Sequence, residues 1–421
     1  MKNLFLLFFS TCLFLSCQSK AQTNVELAEK FVKAITQEKY EEAASLFDPS
    51  IKEVNKEVLQ TTWQQVSAMF GGYKSYYLPE GIDQNAVSVM IGMRFSNGNH
   101  GFSCNFNDRH QLIGFILAPP PPDKEATTKA PASRFPEEER TVAVKGGNLK
   151  GTLMLPQNAS DQTPVVLIIA GSGATDRNCN NGGNLNTNAY KMIAETLAES
   201  GIASFRYDKR LVGQSTGFSP DESKLRFDDY VQDAVQLISY LKSNGYTRIF
   251  IIGHSEGALI GTLAAQQTQV AGLVSLCGAG ENIALTLRRQ LNSPEANSII
   301  DELKDGHMTS KVPQSLQVVF RESVQPYLIS WMKYEPAAAL AKVKAPIWIV
   351  GGTTDLQVPA ADAEMLHKAA PKATLTIISG MNHVLKNAPA DPTANQVTYA
   401  QPELPLNPEL AAGLVRFLSQ K

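Results

Sequence analysis

Residues 248–267 read RIFIIGHSEGALIGTLAAQQ. Ile249 to Ile252 form an unbroken apolar run of strand length, and the stretch from Ala258 onward has helix character. Between them lies Gly253-His254-Ser255-Glu256-Gly257. A serine on a sharp turn from strand to helix stands exposed at the end of a sheet. Small residues two before and two after it let strand and helix approach closely. The pentapeptide alone is common by chance. Its place between a strand and a helix is what makes Ser255 the candidate nucleophile.

A serine hydroxyl is a weak nucleophile until a nearby base takes its proton. Six histidines are available. His100 and His110 belong to an amino-terminal region, His254 lies inside the turn, His307 falls in a long insertion and His367 in a helical run. His383, in GMNHVLK (380–386), follows the last strand candidate and is the expected general base. An imidazole in that role needs a carboxylate to fix its tautomer. Asp355 follows the seventh strand candidate in GGTTDLQVP (351–359) and is assigned that part. The competing Asp362 sits in a helical pattern one to two turns on and is expected to be solvated or to cap a helix. Two backbone N–H groups must face the developing oxyanion. Glu256, next to the nucleophile, supplies one. Ser172, in the glycine-rich AGSGA (170–174), is chosen for the other, with Gly173 as the alternative.

Working outward, eight strand candidates begin at Thr141, Leu149, Pro164, Ile202, Arg248, Val270, Pro346 and Ala373. The first two are close enough to pair as a hairpin. The later ones are separated by helix-length crossovers, the pattern of a mostly parallel sheet covered on both faces. Between the sixth and seventh, residues 281–344 form a long helical insertion expected to cap the site. Its Phe320, Tyr327, Trp331 and Tyr334 either line an acyl pocket or pack the cap onto the sheet. Arg288 and Arg289 either bind a carboxylate or form a solvated face.

Upstream, residues 25–118 show three amphipathic helical segments, at 26–35, 40–47 and 54–70. Strand-like runs follow at 86–95, 100–107 and 112–118, so this stretch reads as a small α+β domain. Its Trp63, Phe70, Tyr73, Tyr76 and Tyr77 are assigned to core packing ahead of ligand binding. Residues 119–139, opening with four prolines, read as a stiff linker to a body spanning 140–421. Residues 1–17 begin with Lys2 and an apolar run from Leu4 to Leu15, too short to span a bilayer, and end at Leu15-Ser16-Cys17. This resembles a bacterial lipobox and predicts an exported protein held to a membrane by lipid on Cys17. A plain signal cleaved after Ala21 is the alternative, giving a soluble periplasmic or secreted protein.

A net charge of −2 gives no reason to expect a polyanionic partner, so nucleic acid binding is not expected. The five cysteines show no metal-site spacing, and no metal is expected.

Taken together, IAGSGATDRN (169–178), FRYDKRLVGQS (205–215), IIGHSEGA (251–258), VGGTTDLQVP (350–359) and GMNHVLK (380–386) resemble Est10/EstD-type bacterial esterases of the α/β-hydrolase superfamily, and also the serine aminopeptidase S33 group. The order Ser255, Asp355, His383 is the order of that superfamily. Relatives often carry glycine where this chain has Leu211. The amino-terminal region resembles the NTF2-like domains that precede some exported hydrolases. The resemblance implies an eight-stranded α/β-hydrolase fold with a helical cap. It also implies hydrolysis of a small-molecule ester with a short or medium acyl group, and no cofactor. An S33-type aminopeptidase or amidase uses the same triad, and carboxylates at Glu281, Glu295, Asp301, Glu302 and Asp305 are available to hold an amine. A lipid-anchored binding protein with an inactive hydrolase body is the reading from another class.

Overall fold

The computed structural model describes residues 22–420 except 52–53, 80, 97, 119, 122–133 and 182–184. The signal segment and Cys17 therefore lie outside the described residues. The chain divides into two compact units, 1–124 and 125–421.

The first unit has helices Asn24–Thr36, Tyr40–Ala44 and Lys56–Phe70, then strands β1 (Tyr73–Tyr77), β2 (Ser88–Phe95), β3 (Gly98–Phe106) and β4 (Leu112–Ala118). The strands form one antiparallel sheet in sequential order. The first helix starts on a capping box between Thr23 and Glu26 and buries Val25, Ala28, Phe31, Val32 and Ile35, whose three- and four-residue spacing makes one apolar face. Trp63 and Phe70 belong to the core, where Trp63 packs edge-on against Tyr73 and Phe70 against Phe95. Strand β1 is absent from the sequence expectation because YKSYY has no apolar alternation. It is defined by pairing with β2 across a register shift between Tyr73 and Ser75.

The second unit contains β5 (Glu137–Val144), β6 (Gly147–Met154), β7 (Val165–Ile169), β8 (Ala203–Tyr207), β9 (Ile249–His254), β10 (Gly272–Leu276), β11 (Ile347–Gly352) and β12 (Thr374–Ile378). They lie in the order β12-β11-β10-β9-β7-β8-β6-β5. Only β6 runs antiparallel to its neighbours β5 and β8, and every other pairing is parallel. This is the eight-stranded, mostly parallel sheet expected from the sequence. All residues of β7, β8, β9, β10 and β11 are buried, which is why these strands read as mostly apolar runs, interrupted by the buried Ser204 and Arg206 of β8 and Ser275 of β10. Helices cover both faces, with separate apolar cores on each side. Strand β5 starts at Glu137, inside the stretch assigned to a linker. Its first turn of sequence, Glu137 to Arg140, is a charged edge whose side chains alternate between half-buried and exposed, a composition that protects a sheet edge but hides a strand from a pattern search.

Between β10 and β11 the chain forms helices Ile283–Leu291, Pro294–Lys304, Gln325–Trp331 and Pro336–Leu340 with short turns among them. Asp362 departs from the expectation of a solvated or capping residue. It is 2% exposed, accepts the Gly280 N–H at 2.8 Å and pairs with Arg289 at 2.9 Å. Arg289 also pairs with Glu281, and Arg288 pairs with Asp301. The two arginines thus spend their charge on the protein's own carboxylates, and Asp362 ties the start of the insertion to helix Ala360–Ala369.

Candidate active site

Ser255 begins helix Glu256–Gln267 directly after β9, with φ 55° and ψ −120°. A non-glycine residue there stores strain on the order of 1–3 kcal/mol. The surrounding structure holds it in place. Ser255 N–H donates to the Leu276 carbonyl at 2.9 Å. A Cβ on Gly253 would meet the Gly257 oxygen at 2.2 Å, and one on Gly257 would meet the Ile169 oxygen at 2.3 Å. The two glycines are therefore required by close packing of strand, helix and β7.

His383 and Asp355 come from two loops that the fold brings together. A Cβ on Gly352 would meet the Met381 oxygen at 2.0 Å, so only glycine permits the approach. The Gly380 N–H bonds Thr353 Oγ1 at 2.9 Å and the Thr354 N–H bonds the Met381 carbonyl at 3.2 Å. His383 Nδ1 then lies 2.8 Å from Asp355 Oδ2, both side chains being buried. The other carboxylate oxygen, Oδ1, accepts the N–H groups of Gln357 and Val358 at 2.8 and 2.9 Å. Burial alone would raise the Asp355 carboxyl. The His383 imidazole and these hydrogen bonds outweigh it and hold the group below the usual carboxylate range. Asp355 is thus ionised and faces Nδ1, which leaves Nε2 of His383 as the basic nitrogen.

His254 enters the site in a role the sequence did not indicate. It is fully enclosed, and burial, then the neighbouring His383, push it down to about 3, so it is neutral. Its Nε2 is 2.8 Å from the His383 carbonyl oxygen, which can only accept, so Nε2 carries the proton. Its Nδ1 then accepts from the Tyr190 hydroxyl at 2.7 Å, and that hydroxyl accepts the Gly171 N–H at 3.1 Å. A chain of hydrogen bonds thus joins the glycine-rich loop after β7 to the backbone of His383.

That loop holds Ser172, the expected second oxyanion residue, and its alternative Gly173. Ser172 and Gly173 line a cavity of about 540 Å³ whose wall also contains Ser255 and Glu256. A Cβ on Gly171 would come within 3.2 Å of the Ser255 Cβ, so the loop lies against Ser255. Beyond this floor the cavity is lined mainly by apolar groups, among them Leu259, Leu287, Val324 and Leu328, and by Tyr327 and Trp331 from the cap. The four aromatics of the insertion divide. Tyr327 and Trp331 line the cavity, Phe320 is fully buried in the core, and Tyr334 packs on Phe227 and donates to Asp228.

Lys209, in the FRYDKRLVGQS segment, is a further residue of the site that the sequence does not single out. The segment is locked in place: Asp208 accepts the N–H groups of Arg177 and Gln214 at 2.9 and 2.8 Å, and Arg210 makes a bidentate pair with buried Asp233. Lys209, 1% exposed, is thereby turned inward to the carbonyl of Gly171, with Glu256 at 3.6 Å. Glu256 in turn accepts from the Tyr327 hydroxyl of the cap. A buried lysine cannot be recognised from composition. The available signal was position alone, since Lys209 follows the carboxyl end of β8, the end at which sites form in such sheets. In the same segment Leu211 has φ 62° and is 45% exposed. Its left-handed backbone accounts for glycine at this position in relatives.

Cys104, Cys179 and Cys277 are buried and free. Among the described residues one group fits metal-ligand spacing, His254, Cys277 and His383. Both His254 nitrogens and His383 Nδ1 are already used in the hydrogen bonds above. Among the described residues no helix is long and apolar enough to cross a membrane.

Residues 179–313 match the family described as serine aminopeptidase, S33, and residues 28–115 match a family described as a protein of unknown function, DUF3887. The chain is 22% identical over 377 residues to esterase EstD of Thermotoga maritima, covering 84% of this chain and 86% of that protein. Similar solved structures include Est1E from Butyrivibrio proteoclasticus bound to ferulic acid, at 21% identity and TM-score 0.44, covering 63% of this chain and 96% of that one. Another is the Pyrococcus furiosus esterase Pf2001, at 18% identity and TM-score 0.44, covering 68% and 90%. A third is the proline iminopeptidase of Mycobacterium smegmatis, at 17% identity and TM-score 0.44, covering 67% and 97%. With its strand order and its serine turn at the end of β9, the chain has an α/β-hydrolase fold, and its sequence is similar to the S33 family and to esterase EstD.

Proposed function

We propose that this hydrolase cuts carboxylic esters of short or medium acyl chain through an acyl-enzyme on Ser255. His383 Nε2 takes the Ser255 proton as the oxygen attacks the ester carbonyl, and the N–H groups of Glu256 and Ser172 hold the negative charge. The protonated histidine gives its proton to the leaving alcohol. A water deprotonated by the same nitrogen then releases the acid. Asp355 fixes the tautomer and stabilises the imidazolium throughout.

The observation that carries an ester rather than a free aminopeptide is the state of the carboxylates in the cavity wall. There are three, Glu222, Glu256 and Glu281, and each already has a cation of the protein, respectively Arg321, Lys209 and Arg289. A free α-amine needs an unpaired carboxylate. Of the other acids proposed for such a role, Asp301 pairs with Arg288 and Glu295 accepts from Ser293. The esterase name of the EstD relative agrees with this reading. The test is hydrolysis of p-nitrophenyl esters from acetate to palmitate beside aminoacyl p-nitroanilides. The expected result is ester turnover with an optimum at short or medium chains and little turnover of the anilides. Faster cleavage of the anilides would replace the esterase with an aminopeptidase.

Export and lipidation at Cys17 are part of the same proposal and rest on residues 1–17. Incorporation of labelled palmitate in a bacterial host, lost in Cys17→Ala, is the expected result. Equal labelling of the variant would overturn it.

A further inference from the structure

Gly171 is held on both sides by buried side chains that take no part in the proton transfers. Its N–H donates to the Tyr190 hydroxyl and its carbonyl accepts from Lys209 Nζ. The two bonds fix successive peptide planes, and the second plane is the one that ends in the Ser172 N–H. In a trans peptide the carbonyl and the following N–H point in opposite directions. An ammonium anchored on the Gly171 oxygen therefore aims the Ser172 N–H away from Lys209. A carbonyl that accepts a charged hydrogen bond also polarises its own peptide, making the N–H at the other end a stronger donor. Gly171 lies against Ser255, and Ser172 lines the cavity beside it.

Three features show that this contact is built. Lys209 is 1% exposed, and the residues on either side of it are pinned by Arg177 and Asp233. Its countercharge, Glu256, belongs to the residue whose own N–H is the other oxyanion donor, at 3.6 Å from Lys209. The Tyr190 hydroxyl, which sets the preceding plane, is fixed through His254 to the His383 backbone. The two halves of the site, donor loop and base loop, are thus held to one geometry.

We propose that Lys209 is a positioning residue for the oxyanion hole, acting through the Gly171 carbonyl to orient and strengthen the Ser172 N–H. The proposal rests on the serine esterase reading above and adds to it a residue that acts on the reaction through the Gly171 peptide. Binding of the ground-state ester does not need the oriented N–H, while the tetrahedral state does. The effect should therefore fall on turnover and leave KM nearly alone.

The experiment measures kcat and KM on the best p-nitrophenyl ester for wild type, Lys209→Met, the double variant Lys209→Met/Glu256→Gln, and Ser255→Ala. Inhibition by a trifluoromethyl ketone, which forms a tetrahedral adduct, is compared with that by the matching methyl ketone. Lys209→Met is expected to lose kcat by on the order of a hundredfold, the cost of one oxyanion donor, with KM changed by less than that. The trifluoromethyl ketone should weaken by a similar factor and the methyl ketone should not. The single variant leaves Glu256 buried without its cation and can fail to fold. The double variant removes both charges, and it should fold and remain slow. Recovery of wild-type kcat in the double variant would overturn the proposal, because Lys209 would then serve only to balance Glu256. An unchanged kcat in Lys209→Met, or an equal loss for both ketones, would overturn it as well. Failure of the underlying reading shows separately, as turnover retained by Ser255→Ala.

Discussion

Ser255→Ala is expected to fold like the wild type and to lose ester turnover by a factor on the order of 10⁴ to 10⁶, the range for removal of a serine nucleophile from a triad. The size follows from the geometry. Asp355 holds His383 Nδ1 at 2.8 Å, which leaves Nε2 as the base of the proposed mechanism, and alanine at position 255 has no proton to give it. The fold is expected to be indifferent because alanine keeps the Cβ that contacts Gly171 and accepts the same strained backbone at φ 55°. Ser255→Gly separates strain from chemistry. It should be equally inactive yet more stable, by the relieved strain of about 1–3 kcal/mol less about 0.5–1 kcal/mol for the entropy of an added glycine. Turnover measured alongside thermal unfolding checks both. Activity surviving in Ser255→Ala would remove the nucleophile from the mechanism.

Asp355→Asn is expected to cost about 10⁴-fold in kcat with little change in KM, because it presents the wrong face to the histidine. Asp355 Oδ1 accepts two backbone N–H groups, from Gln357 and Val358. An asparagine must place its oxygen there, since its amide group would meet two donors. The NH₂ is then turned to His383 Nδ1, which has to accept. The proton moves to Nε2, and the nitrogen that should take the serine proton is blocked. A high-pH recovery is not expected, because the fault is one of tautomer and not of charge. Steady-state kinetics across pH check this. A loss under tenfold would show that Asp355 is not the partner that governs the base, and Asp362, tied to Arg289 and the Gly280 N–H, is in no position to replace it.

The positions that carry chemistry were legible because the chemistry constrains short stretches of chain. Gly253 and Gly257 can be nothing else at the approaches the elbow demands, and the fully buried strands β7 and β9 to β11 are mostly apolar runs. Such local requirements are written in consecutive residues, so Ser255, Asp355 and His383 could be placed at strand ends before any coordinate was known. Strands β1 and β5 were not legible in the same way. YKSYY and the charged start at Glu137 are half-buried edges, whose pattern is decided by a neighbouring strand and by solvent. The supports of the site lay further out of reach. Lys209, Tyr190 and His254 lie 38, 19 and 83 residues along the chain from Gly171, and they meet it only in the fold: Lys209 and His254 because β8 and β9 flank β7, and Tyr190 from helix Ala189–Glu199. Burial of Lys209, the neutral state of His254 and the pairing of Asp362 with Arg289 are energies of enclosure. Sequence alone determined the fold class, the serine turn and the strand ends that carry Ser255, Asp355 and His383, because each depends on residues adjacent in the chain. The tertiary structure alone decided which charges are desolvated and what they meet, because desolvation and hydrogen bonding depend on neighbours that the chain brings together only when folded.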